Sequence, residues 1–393
     1  MNEKMKEYGA KGSPIRYMWS RANEDKRENG EDNVFDFTLG NPSVPAPDAL
    51  NEVLINLLKR KDDVSIHSYT PSSGITETRM AIADHLNKKY KANVSKDRVM
   101  VTVGAAASIA IGLNAVLNEG EEVLTFAPHF TEYFPWTEKA GGRLKEVGTN
   151  NRFLPDEALL RKAINRDTRV LLINSPNNPT GVFYDEEVIR MLARVLKEKS
   201  EEYGKPIYLF SDEPYRELLY VDKPYPFITK YYEYSMVGYS YSKSLSLPGE
   251  RIGYLLTGEN NPEKEELFSA MNGAARSLGF VCASSLFQKA LPEVINLTSN
   301  IEEYRTNRDI LLKGLCDIGY DCIVPEGAFY LFVKSLEEDA VAFAEEATKH
   351  HIYVVASDYF GVKGYVRVSY CVGRKTIVGS LAGFRELFDS YRR

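Results

Sequence analysis

Met236-Val237-Gly238-Tyr239-Ser240-Tyr241-Ser242-Lys243-Ser244 is a short apolar run that breaks off into hydroxyls and a single lysine. A run this short, rich in β-branched and aromatic residues, fits a buried strand. Working outward, the same design recurs. Ile207-Tyr208-Leu209-Phe210 leads into Asp212-Glu213-Pro214-Tyr215, and Val170-Leu171-Leu172-Ile173 leads into Asn174 and then Asn177-Asn178-Pro179-Thr180-Gly181. Val123-Leu124-Thr125-Phe126 runs into Pro128, and Val99-Met100-Val101-Thr102-Val103 into Gly104. Between these runs, residues 77–89 and 186–199 carry apolar residues at helical spacing, with Val188, Leu192, Val195 and Leu196 on one face. Strands alternating with helices predict an α/β domain whose sheet is mostly parallel and flanked by helices. The polar clusters then converge at the carboxyl ends of the strands, where open α/β sheets bind their ligands.

From about residue 291 the pattern changes. Residues 302–315, 340–350 and 375–392 read as helices, and 321–324, 330–333, 352–355 and 365–369 as strands. This predicts a large domain over 45–290 and a smaller α+β domain over 291–393, with residues 1–44 packed against the smaller one. No repeat or low-complexity segment interrupts the chain.

The bulk numbers narrow the functional classes. Of 393 residues, 44% are hydrophobic and 26% charged, with a formal net charge of -6. Such a chain lacks the basic surface of a nucleic-acid binder. No stretch approaches the roughly 18–20 apolar residues of a membrane span, and the polar residues 1–11 lack a signal-peptide core. Cys282, Cys316, Cys322 and Cys371 are scattered and read as reduced thiols. The five histidines show no metal-ligand spacing. The expectation is a cytoplasmic protein without a metal site.

The rim residues supply an amine, a guanidinium, a carboxylate, a phenol and an amide. This is the equipment for holding pyridoxal 5'-phosphate (PLP), whose aldehyde forms a Schiff base with a lysine and whose ring acts as electron sink while an acid keeps its nitrogen protonated. A guanidinium such as Arg251, eight residues after Lys243, suits a phosphate. Gly104-Ala105-Ala106-Ala107-Ser108 opens a helix, where free backbone N–H groups favour an anion. Phe130 reads either as a ring that stacks on the cofactor or as a core aromatic. Arg367, in the alternating run Tyr365-Val366-Arg367-Val368-Ser369, suits a planar carboxylate.

Taken together, these motifs make the chain resemble the class I/II aminotransferases of the fold-type I PLP-dependent superfamily, from Leu39-Gly40-Asn41-Pro42 to Arg367. The resemblance implies that Lys243 carries PLP and moves a proton at the substrate's Cα. It implies that Ser240, Ser242, Arg251, Gly104, Ala105 and Ala106 hold the phosphate, although relatives carry longer polar residues, lysine included, where this chain has alanines. Asp212 would face the ring nitrogen, Tyr215 and Asn178 the phenolic oxygen, and Phe130 the ring. Arg367, following Pro325-Glu326-Gly327-Ala328-Phe329, would bind the substrate carboxylate, with Asn178 and Gly40 beside it. Tyr69 would reach the phosphate of a neighbouring subunit, which implies a homodimer with shared sites. Arg16 would either meet a second substrate carboxylate or be a surface charge. The implied activity is ping-pong transfer of an amino group from an amino acid to a 2-oxo acid. The alternatives are a carbon–sulfur lyase on the same fold and a non-catalytic PLP-binding module. The latter carries a DNA-binding domain ahead of the fold, for which about forty residues leave little room.

Overall fold

The structure is a computed structural model and describes residues 1–392. Two units emerge. One comprises Met1–Ser43, Asn178–Gly181 and Glu302–Arg393; the other comprises Val44–Asn177 and Val182–Ile301.

The larger unit is built on a seven-stranded sheet. Its order is Val99–Thr102, Gly253–Thr257, Ser235–Ser240, Tyr208–Asp212, Thr168–Asn174, Glu122–Phe126 and Arg143–Val147. Six strands run parallel, and Gly253–Thr257 runs antiparallel to both its neighbours. Strands 208–212, 235–240 and 253–257 are buried at every position, which explains their uninterrupted apolar spelling. Arg143–Val147 escaped the sequence reading because it is an edge strand with only Val147 buried. Gly253–Thr257, fully buried and followed by the polar stretch Gly258-Glu259-Asn260-Asn261, was missed as well.

Helix Ala105–Val116 buries Ala107, Ile109, Ile111, Leu113 and Val116 against Met100, Val170, Phe210 and Met236 of the sheet. Each large aliphatic buried in this way contributes about 1.5–3 kcal/mol. Helix Lys264–Leu278 joins the same core through Leu267 and Met271. Helix Glu186–Tyr203 starts where the Asp185 side chain accepts from the Val188 N–H and stops at Gly204 in the left-handed region. Its buried face runs through Ile189, Leu192, Val195 and Leu196, with Val188 at the margin.

The smaller unit holds a four-stranded antiparallel sheet in the order Val355–Ala356, Tyr365–Ser369, Tyr330–Lys334, Cys322–Ile323. The single strand expected over 352–355 is two strands. Ile352–Tyr353 pairs in parallel with Phe35–Asp36, while Val355–Ala356 pairs with Tyr365–Ser369. The amino-terminal segment is thus hydrogen-bonded into this unit. Helix Pro14–Asn29 adds Met18 and Ala22 to Val34 and Tyr353.

Candidate active site

The rim of the larger unit is set by its strand ends. Ser240 ends its strand and caps the one-turn helix Tyr241–Ser244. Its Oγ accepts from the Ser242 N–H at 3.1 Å and lies 2.6 Å from Ser242 Oγ. Lys243, half-buried, stands on that turn. Asp212 ends the adjacent strand, opposite Gly238. Asn174, the last residue of the next strand, donates its side-chain N–H to the Asp212 carbonyl at 2.9 Å. Tyr215 is buried three residues further on.

The Asp212 carboxyl is sealed from water. Tyr133 donates to Oδ2 at 2.7 Å, and among the described residues Oδ1 receives no hydrogen bond. Burial pushes the carboxyl up from its ordinary 3.8 to about 7, against the Tyr133 hydrogen bond and aided by the neighbouring Glu213 charge.

On the other side of Ser240 the antiparallel strand does the positioning. Gly253 is the register partner of both Ser240 and Thr102, so the start of this strand lies level with the ends of its neighbours. Arg251, two residues before Gly253, therefore reaches the same rim. A Cβ on Gly253 would strike the Tyr239 carbonyl oxygen, so glycine alone permits the approach. Gly104 adopts φ +92° and opens helix Ala105–Val116 without a side-chain cap. The first helical bond runs from the Ser108 N–H, leaving the amides of Ala105, Ala106 and Ala107 outside the helical ladder. A Cβ on Gly104 would sit 2.7 Å from Arg251 Nη2. Arg251 donates Nη1 to the Pro248 carbonyl at 2.9 Å and Nη2 to the Val103 carbonyl at 3.3 Å. Phe130 is half-buried, edge-on to Tyr133 at 5.8 Å. Tyr69 is 98% exposed.

A second cluster lies in the smaller unit. Arg367, 1% exposed, donates Nη1 to Asn178 Oδ1 at 3.0 Å and Nη2 to the Thr38 carbonyl. Its guanidinium lies 4.6 Å from the Tyr330 ring and 5.1 Å from the Phe360 ring, which hold the planar fork in one orientation. Gly40 belongs here too, since a Cβ at that position would overlap the Tyr330 hydroxyl. Arg16 stands exposed on helix Pro14–Asn29 and takes part in none of these hydrogen bonds. Among the described residues, no group of His, Cys, Asp and Glu is placed to hold a metal ion, and no helix is long and apolar enough to cross a membrane.

The sequence profile of the aminotransferase class I and II family matches residues 32–380. The chain belongs to this family. Among relatives, it is 30% identical to an aspartate aminotransferase of Thermotoga maritima, covering 92% of this chain and 93% of that protein. It superposes on a crystal structure of an amino transferase from Eubacterium rectale with TM-score 0.98 at 45% identity, covering 100% of this chain and 99% of the other. An aspartate aminotransferase from Thermus thermophilus, solved with maleate, matches with TM-score 0.84 at 28% identity over 96% and 97% of the two chains. As an aminotransferase the protein is an enzyme of amino-group transfer. The carbon–sulfur lyase reading gains no support from these relatives, and a non-catalytic module does not describe the family.

In this aminotransferase three polar groups were missed by the sequence reading. Tyr133 is the hydroxyl that meets Asp212. His129 stacks on Tyr133 at 6.0 Å and 12° and contacts Glu146 at 2.9 Å. All but Glu146 sit in the stretch 128–133 from which only Phe130 was singled out. A second polar ring three residues after Phe130 was the available signal.

Proposed function

We propose that this aminotransferase uses PLP and moves the amino group of an amino acid to a 2-oxo acid in two half-reactions, as a cytoplasmic homodimer. The observation that carries the reading is Asp212 Oδ1, a buried carboxylate oxygen with no donor among the described residues, while the other oxygen of the same carboxyl is held by Tyr133. A protonated ring nitrogen is the partner such an atom lacks. The second fit is the anion cradle formed by the amides of Ala105 and Ala106, the Ser240 and Ser242 hydroxyls and Arg251. It suits the charge and size of a phosphate ester.

Bound there, PLP supplies an aldehyde for amines and a ring that takes up electron density from the adjacent carbon. Lys243 holds the aldehyde between turnovers. When free, its amine would take up the proton at the substrate's Cα and hold it for return. Asp212 keeps the ring nitrogen protonated, and Tyr215 and Asn178 donate to the phenolic oxygen. Phe130 covers the ring. Arg367 binds the α-carboxylate through two parallel N–H bonds, with Gly40 and Asn178 beside it. Tyr69, exposed in one protomer, serves the phosphate of its partner. Arg16 is held in reserve for a second carboxylate.

The names of the relatives make aspartate the first donor to try, with 2-oxoglutarate as acceptor. The purified protein with PLP should develop a visible absorbance band that amino acid donors bleach and 2-oxo acids restore. A screen in which no donor bleaches the band would overturn the reading. For the shared site, mixing an inactive Tyr69 variant with Lys243→Ala should recover about one quarter of wild-type activity, because about half the dimers then carry one intact site. Demonstrated heterodimers without recovery would count against it.

A further inference from the structure

Behind the turn that carries Lys243 lies a buried polar chain outside the roles assigned above. Glu213, Arg216 and Glu217 follow strand Tyr208–Asp212, while Tyr239 and Ser244 flank Ser240 and Lys243. Arg216 donates Nη1 to Glu213 Oε2 at 2.9 Å, Nη2 to the Tyr254 hydroxyl at 2.7 Å and Nε to Glu217 Oε1 at 3.3 Å. Its guanidinium lies 4.2 Å from the Tyr239 ring. Glu217 Oε2 accepts from the Tyr239 hydroxyl at 2.7 Å, and that hydroxyl lies 2.8 Å from Ser244 Oγ.

The proton order follows from chemistry. A carboxylate only accepts, so Tyr239 spends its one hydrogen on Glu217. Ser244 must then donate to the Tyr239 oxygen. The hydroxyl of the residue next to Lys243 is thereby oriented by a fixed buried ion pair. The last backbone link between these two segments is the Glu213 N–H to the Gly238 carbonyl at 2.8 Å. Beyond it Tyr239 and Ser240 stay paired to Tyr254 and Gly253, and the Ser244 carbonyl accepts from the Ser299 N–H at 2.7 Å. The side-chain chain to Glu217 is what ties Ser244 back to the Asp212 segment.

We propose that Glu217 and Tyr239, acting through Ser244, are positioning residues that fix the last turn of helix Tyr241–Ser244 and so aim the Lys243 amine at the proton it moves. The inference rests on the proposed role of Lys243. Its test has three readouts in Tyr239→Phe and Ser244→Ala, the latter removing one hydroxyl while leaving Tyr239 on Glu217. In the holoenzyme, kcat should fall about tenfold with KM within about twofold. The primary kinetic isotope effect with an α-deuterated donor should rise, because proton movement becomes more rate-limiting. In protein stripped of cofactor, amide exchange over 240–245 should quicken about tenfold while 208–212 stays protected. Ser244→Thr, which keeps the hydroxyl, should recover most of kcat. Variants that lose only thermal stability, with kcat, isotope effect and exchange at wild-type values, would overturn the inference. Were the wild type to transaminate no donor, the proposed function would fall, and the exchange over 240–245 would decide the network by itself.

Discussion

Asp212 and Glu217 stand five residues apart, and both carboxylates are buried, yet they end in opposite states. Burial drives Asp212 up to about 7, with Tyr133 on one oxygen and, among the described residues, no donor on the other. Burial also acts to raise Glu217, but the Arg216 and Lys89 charges together with the hydrogen bonds from Tyr239 and Arg216 outweigh it and hold that carboxyl below its usual range. Both Glu217 oxygens are hydrogen-bonded, Oε1 to Arg216 and Tyr90 and Oε2 to Tyr239. Burial by itself therefore does not mark a functional acid. What separates these two is position and partners: the unfilled oxygen of Asp212 lies at the strand-end rim, whereas Glu217 has a completed set of partners and serves as a strut. The cations repeat the contrast: Arg216 is matched by two carboxylates, whereas the Nη atoms of Arg367 donate to the uncharged oxygens of Asn178 and Thr38.

The comparison can be broken at four points. The largest effect is expected from Lys243→Ala, which should abolish multiple-turnover transamination and the visible band; a variant retaining both would detach Asp212 from any working site. Asp212→Asn should cut kcat by at least about tenfold, roughly 1.4 kcal/mol, yet stabilise the cofactor-free protein. The sign follows from the raised value. The unfolded carboxyl ionises near 3.8 and the folded one near 7, so the folded state binds the extra proton between them. Wild-type apoprotein should then lose stability as pH rises from about 4 to about 7, by up to about 4 kcal/mol. The asparagine variant should lack that decline, as denaturant titrations at pH 5 and pH 8 would register. Equal slopes in both proteins would put Asp212 in the same class as Glu217.

Arg367→Lys should lower kcat/KM for the best donor by about 2–4 kcal/mol, since a point charge cannot reproduce two parallel bonds. An unchanged kcat/KM would make Arg367 a second strut. Ser244→Ala should cost only about 1 kcal/mol of folding stability, because Tyr239 keeps its bond to Glu217. A loss of 3 kcal/mol or more would mean that the ion pair itself had opened.

Local spelling made part of this molecule legible. Apolar runs that stop at Asp212, Asn174 and Ser240 announce strands, and a parallel sheet puts their ends on one rim. Gly104 followed by alanines announces a helix opening with free amides. What stayed illegible depends on strand register and direction. Arg143–Val147 has an edge strand's polar spelling, and nothing in Gly253–Thr257 says that it runs backwards.

The sequence by itself determined the α/β architecture, the family and which side chains stand at strand ends, because those follow from periodicity and from residues close together along the chain. Only the tertiary structure decided which of two buried carboxylates keeps a vacant oxygen. Tyr133 lies 79 residues from Asp212, and Tyr239 lies 22 from Glu217. Tyr133 stands on helix Tyr133–Lys139 and Glu217 beyond the end of its strand, so these pairings depend on how separate elements pack. A one-residue shift in strand register would turn Asp212 or Tyr239 to the other face of the sheet.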